Sequence, residues 1–116
     1  MTRKEVATML EGTDIPNAYY QFTNDTAVPP PFICFYYVSS NDLYADDSNY
    51  QRIDHLVVEL YQDIKDKDFD IEAGLEAVFA ANELTFAKAE QYLDDERMVV
   101  EVYDIDVIIT EEESNA

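Results

Sequence analysis

Between Arg52 and Gln62 the chain alternates: Leu56, Val58 and Leu60 fall on one side of an extended backbone, and Val57, Glu59 and Tyr61 on the other. A period of two predicts a strand with one strongly apolar face. Phe32–Ser39, dense in aromatic and β-branched residues, predicts another strand. It is entered from Pro29, Pro30 and Pro31, which lack amide donors and stiffen the approach. AYYQF, residues 18–22, has the aromatic content of a first, shorter strand. Two more, 85–92 and 98–109, flank the acidic turn Asp94, Asp95, Glu96, Arg97 and predict a hairpin.

The period becomes helical in two places. Thr2 to Glu5 spells a capping box, T-x-x-E, in which the threonine hydroxyl and the glutamate each satisfy an amide of the first turn. A helix over 3–11 follows, with Val6, Met9 and Leu10 on one side and Gly12 as a left-handed stop. Asp68 is a candidate cap for a second helix, 69–82, whose Ile71, Leu75, Val78 and Phe79 form the stripe of a helix lying on a sheet. Asp70 and Glu72 stand in its first turn, where the helix dipole favours negative charge.

The order α-β-β-β-α-β-β predicts an α+β fold: a largely antiparallel four- to five-stranded sheet covered by two helices. Residues 1–110 make the single domain expected of 116 residues, and 111–116, EEESNA, make an acidic flexible tail. Leu56, Val58, Leu60, Leu75, Val78 and Phe79 are the expected core, with Phe32, Phe35, Phe86 and Tyr103 as its large aromatics. Cys34 is expected to be a small buried side chain, and one cysteine excludes an internal disulfide.

Composition then narrows the function. Apolar residues make up 47% of the chain, too many for a disordered segment even at a net charge of −19. With 26 acidic and 7 basic residues, the chain is unsuited to gripping a nucleic-acid backbone, which needs lysine and arginine to displace counterions. The charge is also uneven: residues 90–113 carry many acids and Arg97 as their one base. The longest apolar run, Pro31 to Val38, is far short of the roughly 20 residues a membrane helix needs, so no membrane span is expected. The start, MTRKEVATML, lacks the apolar core of a secretory signal, which predicts a protein made and kept in a cytoplasm.

Candidate chemistry is sparse. The polar stretch beginning at Ser39 is expected to be a surface loop; it holds Asp42, Asp46 and Asp47 but lacks the spacing and distal glutamate of a calcium loop. Asp104 and Asp106 share a strand face, yet lie roughly 6.5 Å apart along it with no His or Cys nearby in sequence. Asp54 and His55 are adjacent, and strand neighbours point to opposite faces. No nucleophile elbow, phosphate loop or dinucleotide fingerprint occurs. The expectation is a protein that is not an enzyme and uses no cofactor and no metal. Tyr44 and Tyr50 are different: tyrosines in a polar loop suit an interface.

The segments PPPFICFYYVSSNDLYADDSNYQRIDHLVVELYQDIKD and ANELTFAKAEQYLDDERMVVEVYDIDV together resemble short proteins encoded in the head-to-tail joining region of tailed phages and prophages of Gram-positive bacteria. The resemblance is to tail terminator or tail completion proteins of siphophages. It runs from about Thr2 to Ile108, and its most recognisable pieces are the N-D-L-Y-A-D-D loop feeding Tyr50 and the I-D-H-L-V-V-E-L-Y strand. It implies a structural virion protein at the phage neck that closes into a ring, a homohexamer, capping the tail tube and joining it to the head connector. The implied partners are further copies of itself, the tail tube protein and the head completion or connector protein. DNA would pass through without being bound, and Asp94, Asp95, Glu96, Asp104 and Asp106 would face the channel. Asn41, Asp42, Leu43, Tyr44, Ala45, Asp46 and Tyr50 are the corresponding candidates for the assembly interface. The net charge suits a different protein equally well: an acidic DNA mimic that occupies a basic groove of a host protein.

Overall fold

A computed structural model describes residues 1–22, 28–44 and 50–109, the backbone alone at 39–44 and 50–51. The elements are α1 (Arg3–Glu11), β1 (Asn17–Tyr19), β2 (Phe32–Tyr44), β3 (Tyr50–Asp63), α2 (Phe69–Ala81), β4 (Phe86–Leu93) and β5 (Met98–Ile109). The fold is α+β, in the order α-β-β-β-α-β-β, with one five-stranded sheet ordered β1-β2-β3-β5-β4 and flanked by two helices.

The sheet is mixed. β2, β3, β5 and β4 pair antiparallel, whereas β1 runs parallel to β2. That parallel pair is short because Tyr20 takes φ 71, which turns the chain out of the strand, so β1 ends at Tyr19 and not at the expected Phe22. Tyr20 still donates its amide to the Phe35 carbonyl at 2.8 Å.

Both helices lie on the same face of the sheet. Val6, Met9 and Leu10 of α1 and Leu75 and Phe79 of α2 join Ile33, Phe35, Leu56, Val58, Leu60, Tyr103, Ile105, Val107 and Ile109 in one core. The expected core is therefore present, with Val78 and Phe86 packed at its margin. Phe79 is fully buried, and its ring meets Tyr103 edge-on at 5.3 Å and Phe86 at 5.7 Å. Phe32 departs from expectation: alternation along β2 places it on the opposite, helix-free face. Cys34 shares that face and is buried there, apart from the main core.

Local signals hold at the helix starts. Thr2 Oγ1 accepts from the Glu5 amide at 3.0 Å, Glu5 Oε1 accepts from the Thr2 amide at 2.8 Å, and Asp68 Oδ1 accepts from the Asp70 amide at 2.9 Å. The expected stop at Gly12 does not. Gly12 caps α1 in right-handed geometry, φ −67, and the left-handed residue is Asp14, φ 62. An aspartate tolerates that region better than most residues because its short side chain bonds locally.

Where it is described, the stretch expected as a polar loop is strand: β2 runs on to Tyr44 and β3 starts at Tyr50. Asn41 pairs with Ile53, Asp42 with Arg52, Leu43 with Gln51 and Tyr44 with Tyr50, so β2 and β3 form a hairpin ladder. A register shift between Tyr37 and Ser39 inserts an extra residue on β2. Within the described residues β5 pairs with β3 as far as Ile109, opposite Arg52, and the β2–β3 ladder runs to Tyr44 and Tyr50. The molecule is elongated, 54 × 29 × 24 Å.

Candidate functional site

Helices on one side leave the sheet with a second face that neither helix covers. Alternation and register place Phe32, Cys34 and Tyr36 of β2 there, beside Tyr61, Glu59 and Val57 of β3. The next columns are Val100, Val102, Asp104 and Asp106 of β5, then Gln91, Ala89 and Ala87 of β4. The face thus grades from aromatic at β2 to acidic and small at β4.

Asp104 and Asp106 are exposed on this face, as expected from their two-residue spacing. Asp94, Asp95 and Glu96 are exposed too, but in the β4–β5 turn. Asp104 lies seven residues beyond Arg97, roughly 24 Å along the strand, so the fold does not gather the five acids into one cluster. Of the assembly candidates, Asn41, Asp42, Leu43, Tyr44 and Tyr50 belong to the hairpin ladder, while Ala45 and Asp46, with Asp47 of the calcium reading, lie outside the described residues. The tail 111–116 lies outside them as well.

Register brings together what sequence distance separated. His55 pairs with Asp106 across β3 and β5, and its Nδ1 lies 2.5 Å from Asp106 Oδ1. Its sequence neighbour Asp54 points to the helix face and is fully buried. There Arg3 Nε donates to Asp54 Oδ2 at 2.7 Å, and Arg52 Nε comes within 3.3 Å of Oδ1. The Arg3 guanidinium also lies over the Tyr37 ring at 4.0 Å, tying α1 to β2 and β3.

A second charged group closes the other end of the helix face. Lys67 Nζ donates to Glu72 Oε1 at 2.6 Å, and Lys88 pairs with both Glu72 and Glu76. The Tyr103 hydroxyl donates to Glu76 Oε2 at 2.8 Å. Burial works against the charge on Glu72, but the hydrogen bonds from Lys67 and Lys88 outweigh it and hold its carboxyl below the ordinary range. Glu101, 1% exposed, fares differently. Lys67 Nζ stays 3.5 Å from its Oε2, neither oxygen accepts a hydrogen bond, and Glu90 is its cross-strand partner. Burial, then the neighbouring Glu90, push its carboxyl up to about 7.

The helix-free face carries a cleft of about 510 Å³ over Cys34 and Glu59. Tyr36 and Tyr61 each donate a hydroxyl to Glu59, at 2.7 Å to Oε2 and 2.7 Å to Oε1. Burial and the shared carboxylate raise both hydroxyls, Tyr36 to about 12, so both remain donors at neutral pH. Tyr20 stacks on Tyr36 at 5.7 Å and Phe32 on Tyr61 at 4.8 Å, walling the cleft with aromatic pairs. Sequence reasoning missed this cleft. Its signal was the alternation Phe32, Cys34, Tyr36 set against Glu59 and Tyr61, legible only once the β2–β3 register is known.

Among the described residues, no group of three or more His, Cys, Asp or Glu side chains is arranged to hold a metal ion, and no helix is long and apolar enough to cross a membrane. No family model matches the chain, and no curated protein matches it.

Proposed function

We propose that the chain is a structural protein of a phage virion, a tail terminator or tail completion protein whose copies close into a ring between tail tube and head connector. The reading begins from the sequence resemblance over residues 2–108. The structural observation that supports it is the β2–β3 hairpin, a long two-stranded ladder that runs to Tyr44 and Tyr50. A long hairpin suits contact with a neighbouring subunit, and head-to-tail contacts that close produce a ring.

In this reading the protein's role is assembly and not catalysis. Asp104 and Asp106, exposed in the middle of a sheet face, repel phosphate while staying hydrated, which suits a channel that DNA crosses without adhering. Asp94, Asp95 and Glu96, at the far end of the same strand pair, stand at a different height of the ring. The partners are further copies of the chain, the tail tube protein and the head connector.

The experiment is to delete the hairpin tip, joining Asp42 to Arg52 through a short turn, and to follow tail completion in a producing host. The expected result is a folded protein with an unchanged sheet core and tails that fail to join heads. Normal particle assembly by the shortened protein would overturn the hairpin's role. Tight one-to-one capture of a basic host protein, weakening steeply with salt and with no tail defect, would favour the DNA-mimic reading instead.

A further inference from the structure

The cleft over Glu59 is built from features that the ring reading does not use. Cys34 is the small residue of its column, two positions from Phe32 and two from Tyr36, so the large rings stand roughly 13 Å apart at the backbone. The hollow between them is floored by Cys34 and Glu59. Its volume, about 510 Å³, falls within the range of roughly 300 to 1,000 Å³ typical of ligand sites.

The charge in that hollow is uncompensated. Glu59 takes two tyrosine hydroxyls, and among the described residues no lysine or arginine forms an ion pair with it. Elsewhere in the fold the buried acids Asp54 and Glu72 recruit cations: Arg3 and Arg52 bracket Asp54, and Lys67 and Lys88 bracket Glu72. Each Glu59 oxygen has two acceptor positions and spends one on a tyrosine, leaving a pair of acceptors on one carboxylate. Aromatic faces attract cations through their quadrupoles, and a planar guanidinium both stacks on such faces and donates in parallel to two carboxylate oxygens.

We infer that this cleft is a docking site for an arginine side chain presented by a basic partner protein, with Glu59 receiving the guanidinium between the Tyr20–Tyr36 and Phe32–Tyr61 ring pairs. A basic partner is indicated by charge complementarity: the chain carries a net charge of −19, and the arginines Arg3 and Arg52 are committed to Asp54. The inference stands apart from the ring reading, since it concerns the isolated chain.

The test uses the purified full chain and capped Gly-Arg-Gly, with the neutral citrulline and the lysine tripeptides as comparisons, read by NMR at the ring resonances of Tyr20, Tyr36 and Tyr61. The arginine peptide is expected to shift these rings saturably, with citrulline about tenfold weaker or worse and lysine weaker than arginine. Glu59→Gln is expected to weaken the arginine peptide about tenfold at an unchanged melting temperature. Tyr20→Ala, at a residue that is 57% exposed, removes one wall and weakens binding too, giving a readout if Glu59→Gln does not fold. No saturable shift at these rings, equal binding of citrulline or lysine, or unchanged binding by either variant would overturn the assignment. None of these results depends on tails or rings, so failure here leaves the assembly reading to its own test.

Discussion

Glu101 and Asp54 are both carboxylates buried against the helices, and their surroundings set them apart. Asp54 meets two guanidinium groups, whereas Glu101 meets Lys67 at 3.5 Å with no hydrogen bond to either oxygen. Removing Asp54 frees Arg3 and Arg52, both exposed enough to be hydrated, so Asp54→Ala is expected to cost about 1 to 3 kcal/mol in urea unfolding. A cost below about 1 kcal/mol would mean that the clamp is a surface pair in effect. For Glu101 the folded carboxyl sits at about 7, above its value in the unfolded chain, so the folded state binds the proton more tightly. Its stabilising contribution is full below the unfolded pKa and is lost as pH rises through about 7. Glu101→Gln is therefore expected to raise stability at about pH 8 by about 1 kcal/mol and to flatten the pH dependence between about 4.5 and 7, measured by melting across that range. A variant less stable than the parent at about pH 8 would show that the ion pair with Lys67 outweighs the burial.

At the scale of elements, α2 and the β2–β3 hairpin make opposite demands. α2 rests on Phe79, fully buried against Tyr103 and Phe86, and Phe79→Ala is expected to cost about 3 to 5 kcal/mol through lost burial and the cavity it leaves. Unchanged melting would mean the helix is not held by that contact. In the hairpin, the amides of Asn41, Leu43 and their ladder partners are expected to exchange with solvent more slowly than free-loop amides, in line with the pairing to Ile53 and Gln51. Exchange at free-loop rates would contradict the ladder. These elements also differ in how far the sequence announced them. α1, α2 and the strand at Leu56, Val58 and Leu60 were legible because a buried face imposes a strict period on residue type. Asn41–Tyr44 was not: its residue types follow no strict apolar alternation, and only the pairing with β3 reveals the strand. The end of β1 at Tyr20 and the stop of α1 at Asp14 were hidden likewise, since a left-handed tyrosine or aspartate leaves no glycine signal. The cleft and the His55–Asp106 pair depend on which residues face each other across strands, which alternation within one strand does not specify.

For the whole molecule, one sheet separates two environments. The helix side holds the core and the paired charges; the other side carries the aromatic cleft, then Asp104 and Asp106 at the surface. In a ring, channel acids would act through their field, so charge reversal matters more than neutralisation. Replacing Asp94, Asp95, Asp104 and Asp106 by Asn is expected to leave assembly intact, and replacing them by Lys to impair DNA delivery by assembled particles, measured as infectivity per particle. Full delivery with all four lysines would remove these residues from the channel while leaving the ring untouched. The position of the protein in the particle tests the central claim most directly. Gold-labelled antibody to the chain, imaged by electron microscopy on intact virions and on free tails, should mark the head-proximal end of the tail at a copy number that closes a ring. Particles free of the protein, or label scattered along the tail or on the capsid shell, would contradict it.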